Sequence, residues 1–152
     1  MLSMSEVLST LEMVKNENLD VRTVTLGISL FDCASHDLER FKDNIYRKIV
    51  ETGRRFVAVC DDIGDKYGIK VVNKRISVSP IGVAGAAFGP EELVEVALSL
   101  DRAAEEVGVD FIGGFSALVE KGMASGDTSL IQAIPEALQG SKRVCASVNV
   151  AS

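Results

Sequence analysis

The chain has 152 residues, 47% of them hydrophobic and 25% charged, and carries a formal net charge of −6. That length suits about one domain with a core of its own, and an acidic chain with no basic block, no tryptophan and only 5% aromatic residues offers nucleic acid neither an electrostatic footprint nor a stacking platform. No apolar run reaches the ~18 residues of a membrane span, and Cys33, Cys60 and Cys145 are too few and too scattered for a disulfide framework or a built-in zinc site.

Met4, Val7, Leu8, Leu11 and Val14 recur at helical spacing, which predicts a surface helix from about Ser3 to Glu17. Ser3 and Glu6 form a capping box at its start, and the polar stretch Asn16 to Asn18 closes it. The first strand is predicted over Val21 to Phe31. Its side chains alternate: Val24, Leu26, Ile28 and Leu30 on one face, Thr23, Thr25, Gly27 and Ser29 on the other. A turn at Asp32 to Ser35, with Ser35 as N-cap, leads into one long helix. Its apolar stripe runs from Leu38 through Ile49 and Cys60 to Ile63, and Gly53 marks a kink or a close contact.

The central strand is the stretch from Ile69 to Pro80, rich in Val and Ile and punctuated by Gly68 and Pro80. Val72, Ile76 and Val78 form its apolar face, interrupted by Lys74. Asn73, Arg75, Ser77 and Ser79 form a polar face. A small-residue loop or short apolar turn follows. A helix then opens on Pro90, Glu91 and Glu92 and ends at Gly108. The third strand, Val109 to Phe115, is expected to run through Gly113-Gly114 into a helical turn from Ser116 to Lys121. A glycine-containing turn from Gly122 to Gly126 precedes a helix near Thr128 to Leu138, which Pro135 kinks or ends early. The fourth strand, Lys142 to Val150, sets Val144, Ala146, Val148 and Val150 against Arg143, Cys145, Ser147 and Asn149.

Strands that alternate with helical crossovers imply an α/β fold with parallel strands in one sheet. Doubly wound sheets are covered on both faces and their strands read as near-continuous apolar runs. Strands one, two and four here each keep a polar face instead. Such a sheet lines a barrel interior or meets another sheet, chain or ligand. The N-terminus has no signal-peptide pattern, so the expected address is cytoplasmic.

The stretches VRTVTLGISLFDC, VVNKRISVSPI, GVDFIGGFSALVEKGM and VCASVNVAS, in this order, resemble the N-terminal third of a bacterial and archaeal family. It is known as uncharacterised protein family two hundred and ten, or domain of unknown function seven hundred and eleven. The resemblance spans essentially the whole chain. It implies a pyruvate formate-lyase-like fold, a ten-stranded barrel of two parallel halves. Residues 1–152 would then be one α/β segment, the N-terminal part of a larger barrel domain, with SVNVAS breaking off inside a longer motif. The resemblance does not imply glycyl radical chemistry. That needs cysteines on an internal loop and a radical-bearing glycine near the C-terminus, and the three cysteines here have no such context. Partnership with further copies, or with a C-terminal remainder, is expected to cover the polar face.

Arg75, beside Asn73 and Ser77, offers a planar fork of donors for an anion or carboxylate; a structural ion pair is the competing use of the same group. Gly113, Gly114 and Ser116, after a strand, can present backbone N–H groups to an anion, although glycine pairs also serve tight packing. Cys145 shares its face with Ser147 and Asn149, which makes it a better thiol candidate than Cys33 beside His36, or Cys60 in a helix stripe. Lys74 is expected among the helices, in a snorkelling role. Two functions follow: a barrel that binds, or acts on, a small anionic molecule, with cofactor unspecified, or a non-catalytic regulatory or assembly protein whose polar face is structural.

Overall fold

The computed structural model describes residues 3–17 and 20–150, with the side chains of residues 14–17 left out. The Val14 side chain of the first helical stripe, Asn18, and the last two residues of the chain therefore fall outside what is described. The elements in order are α1 (Met4–Glu17), β1 (Val21–Ile28), α2 (Leu38–Gly53), α3 (Phe56–Tyr67), β2 (Val71–Val78), α4 (Ile81–Ala84), α5 (Pro90–Val107), β3 (Phe111–Leu118), α6 (Ser125–Gly140) and β4 (Val144–Asn149). The four strands form one parallel sheet in the order β1-β2-β3-β4.

Sequential order with crossovers of one hand sends every connection across the same face. The core accordingly lies on one side only. Phe41, Ile45 and Ile49 of α2, Leu93, Val96 and Leu100 of α5, and Leu130 and Ala133 of α6 pack with Ile76 and Ile112, all of them at most 1% exposed. The opposite face of β1 stays exposed at Thr23, Thr25 and Gly27, and so do Ser77, Ser147 and Asn149. The result is an open half-barrel form. It agrees with the α/β fold and the alternation read in strands one, two and four. Lys74 points to the helix side, where its ammonium pairs with Asp61 of α3 at 2.7 Å.

Local chemistry explains most boundaries. The Glu6 carboxylate accepts the Ser3 N–H at 2.7 Å and the Ser3 hydroxyl accepts the Glu6 N–H at 3.3 Å, the two arms of a capping box. Pro90 opens α5, the Glu92 carboxylate accepts the Gly89 N–H at 2.8 Å, and Gly108 ends the helix at φ +80°. The apolar stripe of α1 is largely exposed, at Met4, Leu8 and Leu11.

Five sequence expectations are corrected. The long helix is two helices, because the chain breaks at Arg54-Arg55 after Gly53. Gly53 is a close contact: a Cβ there would sit 2.9 Å from Val107 Cγ1. The N-cap of α2 is Asp37, whose carboxylate accepts the Arg40 N–H at 2.8 Å, while Ser35 accepts the Asp37 N–H. β3 continues to Leu118, so Ser116 lies in a strand and not in a helical turn. α6 begins at Ser125, before Gly126, and runs through Pro135 to Gly140. The proline removes one donor without ending the helix, since Ala133 and Ala137 on either side are held in the core. Arg143 leaves the polar set: its Nε donates to the Val109 carbonyl at 3.2 Å and its Nη1 lies 3.8 Å from Glu105, at the end of α5.

α6 is docked on α4 through a glycine contact. A Cβ on Gly126 would sit 2.5 Å from the Gly82 carbonyl oxygen and 2.8 Å from Ala86 Cα. Backbone atoms cannot swing aside as a side-chain end can. Gly126→Ala is therefore expected to destabilise the fold by about 1–3 kcal/mol in urea denaturation. That loss overrides the helix-propensity gain of up to ~1 kcal/mol; an unchanged midpoint would mean that the helices separate freely here.

Candidate functional site

The open sheet face carries a groove of about 480 Å³ across β2, β3 and β4. It is organised by register. Ser77 lies opposite Gly113, and Gly113 opposite Cys145. Two residue pairs further along, Ser116 lies opposite Ser147. On the other side, Arg75 stands between Thr25 of β1 and Phe111 of β3. Small side chains thus floor the groove, and Arg75 forms one wall.

A β-bulge makes this arrangement possible. The pairing of β3 with β4 shifts between Gly113 and Phe115, which leaves Gly114 as the extra residue at φ +116°. Glycine alone adopts that conformation without strain. An extra residue resets the alternation, so Gly113 and Ser116 share the open face although they are three apart. Phe115 and Ala117, both 0% exposed, turn under the helices with Ile112. Gly114 also packs tightly, since a Cβ there would lie 2.5 Å from the Val78 carbonyl oxygen and from Val78 Cγ2. The expectation of an anion cradle at a strand-to-helix junction is corrected: the glycine pair sits inside a strand.

Among the described residues that line the groove, Arg75 is the only charged one. Its Nη2 lies 3.6 Å from where a Cβ on Gly113 would be, so the guanidinium rests beside that glycine. Among the described residues its Nε is the one buried side-chain nitrogen or oxygen without a hydrogen-bond partner. An orphaned donor costs about 1–3 kcal/mol, more when charged. Ser116 is 8% exposed, and its hydroxyl donates to the Gly114 carbonyl at 3.4 Å. Ser77 and Ser147 are exposed, and Cys145 is half-buried with its thiol 3.9 Å from the Arg143 carbonyl oxygen.

Of the residues singled out in the sequence, Arg75, Ser77, Gly113, Gly114, Ser116, Cys145 and Ser147 line this one groove. Asn73 and Asn149 do not. The Asn73 amide donates to the Arg22 carbonyl at 3.1 Å, and the Asn149 amide to Glu120 at 3.2 Å. Pro80, Val78 and Ala146 complete the walls. Phe111, 41% exposed on the open face beside Arg75, was not singled out. Its side of the strand is legible once the bulge is placed.

The other thiols are poorly suited to nucleophilic work. Burial first, and then the Asp32 charge, push the Cys33 thiol above its ordinary pKa, which disfavours the reactive thiolate. Its polar contact is Asp32 at 3.8 Å, and His36 is exposed. Burial likewise raises Cys60. Among the described residues no group of three or more His, Cys, Asp or Glu side chains is placed to hold a metal.

The family model described as "Uncharacterised ACR (DUF711)" matches residues 12–152. The chain belongs to the DUF711 family. It is 64% identical, over all 152 residues, to the "UPF0210 protein" of Desulfovibrio desulfuricans, and it covers 33% of that protein's length. The "UPF0210 protein" of Syntrophobacter fumaroxidans gives the same identity and coverage. The "UPF0210 protein" of the archaeon Methanosarcina acetivorans is 51% identical over 150 residues, which is 99% of this chain and 32% of the relative. The chain thus spans about a third of the length of the curated relatives it matches. Neither the DUF711 nor the UPF0210 description names a reaction or a ligand, so the chemistry of this DUF711 chain is argued from the groove itself.

Proposed function

We propose that the open face of the sheet binds a small anionic molecule, with Arg75 as its anchor and Ser77, Ser116 and Ser147 as polar partners. The unpartnered Nε of Arg75 carries this reading. In its present position the guanidinium lies against the sheet with a donor unmatched. An anion in the groove draws it outward and relieves that cost. The small-residue floor supports the same reading: Ser77 and Ser147 are exposed on it, so a ligand there meets hydroxyl donors and little bulk. The activity is one of binding, or of an enzyme-like barrel without glycyl radical chemistry, in a cytoplasmic protein; among the described residues no helix is long and apolar enough to cross a membrane.

A second reading has its own support. β1 and β4 end the sheet, and each leaves an edge of N–H and C=O groups that can pair with another chain. A carboxylate from a further copy, or from a C-terminal portion such as the longer relatives have, matches Arg75 as a ligand does. In that case the groove is an assembly surface.

Arg75→Lys separates the two. Loss of bidentate geometry removes a charge-assisted contact worth about 1.5–3 kcal/mol, which is about 10–150-fold in affinity. Calorimetric titration with small carboxylates and phosphates should show that loss, with the thermal midpoint little changed. A lowered midpoint, with no anion binding to the parent protein, identifies Arg75 as structural.

A further inference from the structure

Resting on the binding reading above, we infer that the groove selects a small hydroxylated monocarboxylate over a phosphate compound. Charge favours a carboxylate. Arg75 supplies one positive charge, and among the described residues no second charged residue lines the groove. A carboxylate matches it one to one. A phosphate group carries about −1.5 to −2 at neutral pH and would leave excess negative charge in a partly desolvated site, on a chain already at −6.

Backbone geometry disfavours a phosphate. Phosphate sites draw on helix N-termini or on nests of successive N–H groups. Gly113 and Gly114 lie in a paired strand instead, where their conformation serves the bulge. The helix that starts at the groove, α4, is a single turn of four residues. Its Val83 and Ala84 N–H groups are already bonded to the Pro80 carbonyl at 3.0 Å.

The hydroxyl-bearing floor of the groove adds a match of its own. Ser77 and Ser147 are exposed on the groove side of their strands. A hydroxyl both donates and accepts, so it pairs with a ligand hydroxyl as no simple cation or carbonyl does. Pro80 at the end of β2 gives a short carbon chain some apolar contact. A carboxylate at Arg75 with one or two hydroxyls toward Ser147 uses all three features.

The test is titration of the full chain at neutral pH with glycerate, glycolate, propionate, inorganic phosphate and glycerol phosphate. Glycerate should bind at least about tenfold more tightly than propionate and than either phosphate, a difference of about 1.4 kcal/mol. Ser147→Ala, an exposed position, should shrink the glycerate advantage over propionate several-fold. Arg75→Lys should weaken all three carboxylates together. If a phosphate binds best, or propionate equals glycerate, the ligand class is wrong, while dependence on Arg75 still upholds the groove as an anion site. If none of the five binds and Arg75→Lys changes nothing, the binding reading falls with it.

Discussion

Gly114→Ala is expected to cost the fold about 2–6 kcal/mol, whereas Gly113→Ala, one residue away, leaves stability within about 1 kcal/mol and weakens ligand binding instead. Two costs add at Gly114. Its φ of +116° is one that side-chain-bearing residues rarely adopt, which is worth about 1–3 kcal/mol. A Cβ would also sit 2.5 Å from the Val78 carbonyl oxygen. Relieving that contact means moving backbone of the neighbouring strand, for about another 1–3 kcal/mol. Domains hold only about 5–15 kcal/mol in total, so the loss should be plain in a urea midpoint. At Gly113 the added Cβ would meet Arg75 Nη2 at 3.6 Å and the Ile76 carbonyl oxygen at 4.0 Å, both ordinary contacts. Replacing glycine in a compatible conformation gains about 0.4–1 kcal/mol through the unfolded chain. The methyl group, however, stands where guanidinium and ligand meet. A misfit of that size costs about 1–3 kcal/mol of binding. Equal stabilities for the two variants would refute the bulge as the source of Gly114's constraint.

What was legible in the sequence follows the regularity of each element. β1, β2 and β4 alternate with period two, interrupted in β2 at Lys74, and Thr25, Arg75 and Ser147 can be assigned to one face from spacing alone. β3 reads FIGGFSAL, where two adjacent glycines hide the alternation. The dipeptide signals irregular backbone but not whether it is a turn, a bulge or a helix start. The stripe through Ile49, Phe56 and Cys60 stays in phase across Arg54-Arg55, so periodicity alone could not reveal two helices. The make-up of the groove depends on inter-strand register, which local sequence does not encode. Gly113 meets Cys145 and Ser116 meets Ser147 only because β3 holds one residue more than β4 over the same span. Asn73 and Asn149 have the right face and the wrong neighbours: each amide finds a partner outside the groove, in Arg22 and Glu120.

The same bulge sets apart two phenylalanines of one strand. Phe111 and Phe115 are four residues apart, so a regular strand would place them on the same face. The extra residue at Gly114 places them on opposite faces: Phe115 is 0% exposed in the core, and Phe111 is 41% exposed beside Arg75. Phe115→Ala should therefore cost about 3–5 kcal/mol, through lost burial and the cavity left between the sheet and its helices. Phe111→Ala removes a side chain that keeps much of its surface in water, and should cost no more than about 1 kcal/mol. The two sites also differ in what else they disturb. Loss of Phe115 leaves Arg75 in place and should lower the denaturation midpoint without a proportionate loss of anion affinity in the remaining folded protein. Loss of Phe111 removes apolar bulk at the register position beside Arg75 and lets more water in, which weakens any ion pair formed there. Urea denaturation of both variants, each paired with a carboxylate titration under folding conditions, reads out the contrast. Similar destabilisation by the two substitutions would place both rings on one face, which the bulge at Gly114 does not allow.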